Sequence, residues 1–97
     1  MDSAQIEAAI RQVLVDELKL KSADVAALSV DTPLLGRGLG LDSMEVLTLT
    51  TALEERFSIQ VADAELTSEL FRSLSSLIAL IRAKTDPPEL GPEEIER

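Results

Sequence analysis

A small all-α domain is predicted for this chain, a four-helix bundle with a long first loop, three main helices and one short one. Three observations predict it. Apolar residues recur at helical spacing in three separate stretches; two of those stretches open on helix-capping sequences; and residues that favour strands are scarce, with two phenylalanines and no tyrosine or tryptophan. At 97 residues and 45% hydrophobic content there is material for one core and too little for two.

Ile6, Ile10, Val13, Leu14 and Leu18 form one stripe of the first helix, with Glu7, Arg11, Gln12 and Asp16 on its other face. Asp2 and Gln5 make a capping box at its start. After Leu20 the pattern dissolves into KSADVAALSVDTPLLGRGLGL, a connection holding Pro33 and the glycines Gly36, Gly38 and Gly40. Its Val25, Leu28, Leu34 and Leu35 imply packing over the helices, and a short helical turn is placed at 22–27.

The second main helix opens at Asp42 or Ser43 and runs to Arg56, with Leu47, Leu49, Leu53 and Phe57 as buried candidates. The extended link SIQVA leads to Asp63, read as the N-cap of a short third helix ending near Leu70. Ser73 caps a fourth helix through Ala83, whose core face is Leu74, Leu77, Ile78 and Ile81. The domain is expected over residues 1–84. Residues 85–97, TDPPELGPEEIER, carry three of the four prolines and five acids, and are expected to be a disordered tail.

Composition excludes several functions. A net charge of -9 repels phosphate backbones and anionic lipid, so neither nucleic acid nor a membrane surface is an expected partner. There is no cysteine and no histidine, which removes thiol and serine–histidine nucleophiles and the usual zinc ligand sets. The N-terminus has no signal-peptide pattern and no segment reaches ~18 uninterrupted apolar residues, so a soluble, cytoplasmic monomer is expected rather than a self-contained enzyme.

Attention falls on GLGLDSMEVL, residues 38–47. Asp42 and Glu45 form a second capping box worth ~1 kcal/mol, which by itself accounts for the local chemistry and leaves Ser43 a bystander at the first helical position. The same position has a second use. Unpaired N–H groups and the positive end of the helix dipole stabilise a phosphate attached there, and the preceding glycines keep the approach low. No nucleotide-binding glycine pattern is present.

Here the chain resembles the acyl carrier protein and carrier-domain superfamily. Gly40-Leu41-Asp42-Ser43-Met44 matches its G-x-D-S-[LM] motif, Ala52-Leu53-Glu54-Glu55-Arg56-Phe57 its A-L-E-E-x-F, and Ile59-Gln60-Val61 its I-x-V, in order after a long hydrophobic loop. The resemblance covers most of residues 3–84. It implies that Ser43 carries 4'-phosphopantetheine, transferred from coenzyme A by a phosphopantetheinyl transferase, with Asp42 aiding recognition or metal-assisted chemistry on that partner. The reactive thiol would then be borrowed, and acyl thioesters would pass between loading ligases or synthases and acyltransferases.

Residues 42–70 hold seven acids against Arg56 alone, a local net of -6 suited to steering basic enzyme surfaces. With the resemblance, Glu45, Glu54 and Glu55 are partner-binding candidates, as are the apolar Leu39, Met44 and Leu47. The chain departs from the best-known fatty-acid carriers at Arg37-Gly38, where an acidic pair is common, and at Thr48, where an acid is. Fatty-acyl, polyketide and aminoacyl or peptidyl cargo all stay open, as does an unmodified acidic adaptor. The run Thr48, Thr50, Thr51 narrows the apolar surface available to a long acyl chain.

Overall fold

The computed structural model describes residues 2–85. Four α-helices are present among them, α1 (Ser3–Leu18), α2 (Ser22–Ala27), α3 (Ser43–Phe57) and α4 (Leu74–Thr85), with two single 3₁₀ turns, Asp63–Glu65 and Leu70–Arg72, between α3 and α4. No strand occurs among the described residues. The tail predicted for residues 85–97 falls outside them except for Thr85, which still belongs to α4 and donates its Oγ1 to the Ile81 carbonyl at 2.8 Å.

α1 starts where the sequence says it should. Asp2 accepts from the Gln5 N–H at 2.9 Å while Gln5 accepts from the Asp2 N–H at 3.0 Å, closing the capping box. Ile6, Ile10, Val13 and Leu14 are buried against α3 and α4, and Leu18 packs at the edge. The helix ends with Lys19 in the left-handed region at φ 60°, its N–H and that of Leu20 both turning back to the Leu14 carbonyl. Arg11 and Glu7 do more than decorate the polar face. Arg11 grips Glu7 through two N–H donors at 3.0 and 2.8 Å and donates a third to the Val25 carbonyl, tying α2 onto α1.

The long connection is a packed structure. Val25, Leu34 and Leu41 are buried in the same core, and residues 33–41 close on themselves through Leu39 N–H to the Pro33 carbonyl, 2.8 Å, and Leu41 N–H to the Leu34 carbonyl, 2.9 Å. Gly38 permits that closure. A Cβ there would stand 1.7 Å from the Pro33 carbonyl oxygen.

α3 buries Leu49, Thr50, Leu53 and Phe57. Thr50 is polar yet buried because its hydroxyl donates to the Val46 carbonyl one turn back, at 2.8 Å. Leu47, expected inside, is 55% exposed. Positions i and i+2 of a helix lie about 200° apart around its axis, so a stripe through 49, 53 and 57 turns 47 outward. Ser58, left-handed at φ 55°, ends the helix.

The segment expected to be one short helix from Asp63 to Leu70 is two separate turns. Ala62, not Asp63, holds the N-cap position, its N–H donating to Glu65 Oε1 at 2.8 Å, and the chain leaves helical geometry at Leu66 with ψ 77°. Thr67 Oγ1 then accepts from the Leu70 N–H at 3.3 Å. Side chains thus satisfy backbone donors twice within nine residues, and a continuous helix has less to add. The result brings Leu70 and Phe71 together into the core.

Ser73 precedes α4, its N–H donating to Ser76 Oγ at 3.2 Å, and Leu74, Leu77 and Ile81 are buried, with Ile78 half-buried. The helix reaches Thr85, two residues past the expected end, with Arg82 and Lys84 placed favourably in its last turn.

Candidate functional site

Ser43 is the first residue of α3 and is exposed. Asp42 before it is extended, φ -91° and ψ 178°, and accepts from the Glu45 N–H at 2.8 Å; Glu45 Oε1 accepts from the Asp42 N–H at 3.0 Å. The box fixes the first turn and uses the third amide of the helix. The amides of Ser43 and Met44, with no acceptor one turn earlier, are the donors left facing the position ahead of the helix. A phosphodiester on Ser43 Oγ would lie at the positive end of a 15-residue helix.

Beside the hydroxyl runs an apolar groove of about 420 Å³, lined by Leu35, Leu41, Asp42, Ser43, Val46, Leu66, Thr67, Ser68 and Phe71. Leu35 and Leu41 come from the long loop, Val46 from α3, and the far wall from Leu66, Thr67 and Ser68, which link the two 3₁₀ turns, and from Phe71 in the second turn. That volume lies in the lower part of the ~300–1,000 Å³ typical of small-molecule sites. A larger groove of about 660 Å³ between α1 and α4, where Arg82 Nη1 donates to Ser3 Oγ at 3.0 Å, shares no lining residue with it.

The far wall was not foreseen in the sequence. Leu66 to Phe71 reach Ser43 only through tertiary packing, and the adjacent apolar pair Leu70-Phe71 is the one local sign of a buried turn there.

The partner-binding candidates divide on inspection. Met44 is 68% and Leu47 55% exposed, the large apolar residues left open to solvent among those described. Leu39 is half-buried against the core. Glu54 braces the loop after α3, its Oε2 accepting from the Val61 N–H at 2.8 Å. Glu45 sits in the capping box, Glu69 pairs with Arg72, and Glu65 pairs with Lys84 at 3.0 Å. The Ala62 N–H first, and the Lys84 ammonium after it, hold the Glu65 carboxyl below the usual carboxylate range. Much of the local acidity therefore serves the fold. Glu55 and Asp63 keep theirs for solvent.

An exposed serine at the first position of a capped helix, beside an apolar groove, fits a covalent phosphate-linked arm. Comparison with known proteins agrees. The family model for the phosphopantetheine attachment site matches residues 8–81. The chain belongs to that family.

An acyl carrier protein of Akkermansia muciniphila is 35% identical over 81 residues, covering 84% of this chain and 94% of its own. That of Campylobacter hominis is 33% identical over 72 residues, 74% of this chain and 84% of the relative, and that of Campylobacter concisus 36% over 56 residues, 58% and 68%. The protein is a carrier of acyl groups rather than an enzyme, and its prosthetic group is 4'-phosphopantetheine. Such a carrier works with partner enzymes that perform the chemistry. Among the described residues no helix is long and apolar enough to cross a membrane.

Proposed function

We propose that Ser43 is the attachment point of the arm, installed by a phosphopantetheinyl transferase, and that the armed carrier takes acyl groups from loading ligases or synthases and presents the short acyl thioesters to acyltransferases. The observation that carries the reading is the exposed Ser43 hydroxyl at the first position of α3, one wall of an apolar groove. In the loading reaction Ser43 Oγ forms the new phosphoester bond, the pyrophosphate of coenzyme A breaks, adenosine 3',5'-bisphosphate leaves, and the serine proton passes to the transferase. Asp42 Oδ1 is committed to the cap, which leaves Oδ2 for that enzyme or its metal. When bound, the arm supplies the terminal thiol that this cysteine-free chain lacks.

The groove supports a short cargo. Leu41 and Phe71 in its wall belong to the same buried core as Leu49, Leu74 and Leu77, which are at most 2% exposed, and that filled core leaves little room for a long chain. Thr67 and Ser68 place hydroxyls at its rim, compatible with a cargo bearing a carbonyl or hydroxyl.

The test is intact mass after incubation with coenzyme A and a promiscuous transferase, with peptide mapping. One pantetheine adduct on Ser43, abolished in Ser43→Ala, is expected. Equal labelling of Ser43→Ala, or an adduct elsewhere, refutes the reading.

A further inference from the structure

We infer, resting on the groove beside Ser43 as the cargo's shelter, that Lys84 and Glu65 are positioning residues for the acyl group: their ion pair latches the far wall of that groove, and the wall opens at this end when the pair parts. Different forces hold the two ends of the wall. At the turn Leu70–Arg72 the chain is pinned by Leu70 and Phe71, both buried in the core. At the turn Asp63–Glu65 no residue is buried. Leu66, Thr67 and Ser68, which line the groove between the turns, therefore hang from an apolar anchor on one side and a polar one on the other. The polar end is the one free to swing.

Glu65 connects that end to the groove. Its carbonyl accepts from the Thr67 N–H at 2.9 Å, so it fixes the backbone of a groove-lining residue two positions on. Its Oε1 accepts from the Ala62 N–H at 2.8 Å and meets Lys84 Nζ at 3.0 Å. The first of these bonds closes the turn on itself; the second crosses to α4. Lys84 stands three residues after Ile81, which is 1% exposed, so the ammonium is held out from a helical turn seated in the core.

The environment of the pair sets it apart from the other one on this wall. The side chains of Lys84 and Glu65 are 26% and 34% exposed, against 65% and 73% for Arg72 and Glu69, so water screens the Lys84 pair less. Such a pair can part and close again while the core stays packed. That suits a carrier, which has to shelter its thioester between enzymes and release it at the next one.

The experiment loads the full chain with a butyryl arm, using butyryl-coenzyme A and a promiscuous transferase, and follows cleavage by hydroxylamine through intact mass. The amine nitrogen attacks the thioester carbonyl, the carbon–sulfur bond breaks, butyryl hydroxamate leaves, and the arm's sulfur takes up the proton that the nitrogen gives off. Butyryl-pantetheine in free solution supplies the unsheltered rate, and the wild-type carrier should react more slowly. Cleavage through the open wall scales with the open population, so loss of one partly screened ion pair should raise the rate about twofold to fivefold in Lys84→Met and in Glu65→Gln. Lys84→Arg keeps the charge and should stay near wild type. Hydrogen exchange at the Thr67 amide should quicken in Lys84→Met while the Leu39 and Leu41 amides of the 33–41 loop keep their rates. Arg72→Met makes the same change in charge at the apolar end and should leave cleavage alone.

A wild-type rate in Lys84→Met, an equal rise in Arg72→Met, or no rescue by Lys84→Arg overturns the latch. Exchange that quickens equally at Leu39 and Leu41 overturns it too, because the effect is then one of overall stability. If the wild-type carrier is cleaved as fast as free butyryl-pantetheine, the groove shelters nothing and that reading fails before any variant is made. Failure to load Ser43 refutes the attachment reading, and the latch falls with it.

Discussion

Replacing Gly38 by alanine puts one methyl group into a space that backbone already fills. The new Cβ would stand 1.7 Å from the Pro33 carbonyl oxygen and 2.6 Å from its carbon, where ordinary contact begins near 3.4 Å. Backbone cannot rotate away as a side chain can, so the 33–41 loop must open. Opening costs the Leu39 N–H to Pro33 bond at 2.8 Å and strains the Leu41 N–H to Leu34 bond at 2.9 Å beside it. At ~1 kcal/mol for each bond, with some residual strain, the loss is about 2–3 kcal/mol. For a domain of this size that lowers Tm by roughly 10–20 °C. Gly36→Ala is the control, because its Cβ would meet nothing within 4 Å and the cost is confined to the backbone at φ +62°, about 1–2 kcal/mol. Urea unfolding followed by far-ultraviolet circular dichroism measures both. If Gly38→Ala lies within about 0.5 kcal/mol of the parent, or is milder than Gly36→Ala, the close approach of Pro33 does not hold this loop.

Three further outcomes are expected. Glu54→Ala strands the Val61 N–H and should cost about 1 kcal/mol with faster hydrogen exchange at that amide, while Glu54→Gln keeps an acceptor and should lose less than half as much; equal losses would argue against the brace. Asp42→Ala removes a cap and should cost ~1 kcal/mol in urea, whereas Ser43→Ala should change stability by less than about 0.5 kcal/mol; a more damaging Ser43→Ala would make the serine structural. The Glu65 carboxyl is held below its ordinary value of 4.5, so its contribution is present above that pH and is lost as pH falls through the depressed one; a series of urea midpoints from neutral to acid pH should show a shallower acid-side fall in Glu65→Gln, and parallel curves would refute the linkage.

Both main capping boxes were legible in the sequence because the chemistry is local: an acid and its partner three residues on decide where α1 and α3 begin. The stripes of α1 and α4 were legible for the same reason. What sequence reading missed depended on direction or on distance. Leu47 was read both as a buried candidate and as a partner-binding one, and its angle from Leu49 sends it outward. The residues from Asp63 to Leu70 have helix-forming composition, but Thr67 and Glu65 satisfy single turns first. The motif marked Ser43, while the groove beside it joins the long loop, α3 and the turn at Phe71, positions up to 36 residues apart whose adjacency only packing supplies.

Ser43 stands on the capped first turn of α3, not on the 33–41 loop that delivers it. A tethered group anchored there swings from a stationary pivot. Its local concentration at a docked enzyme is then governed by tether length, in the millimolar range for short flexible linkers. An anchor a few residues earlier, on the loop, would enlarge the swept volume and dilute a tethered cargo at every encounter.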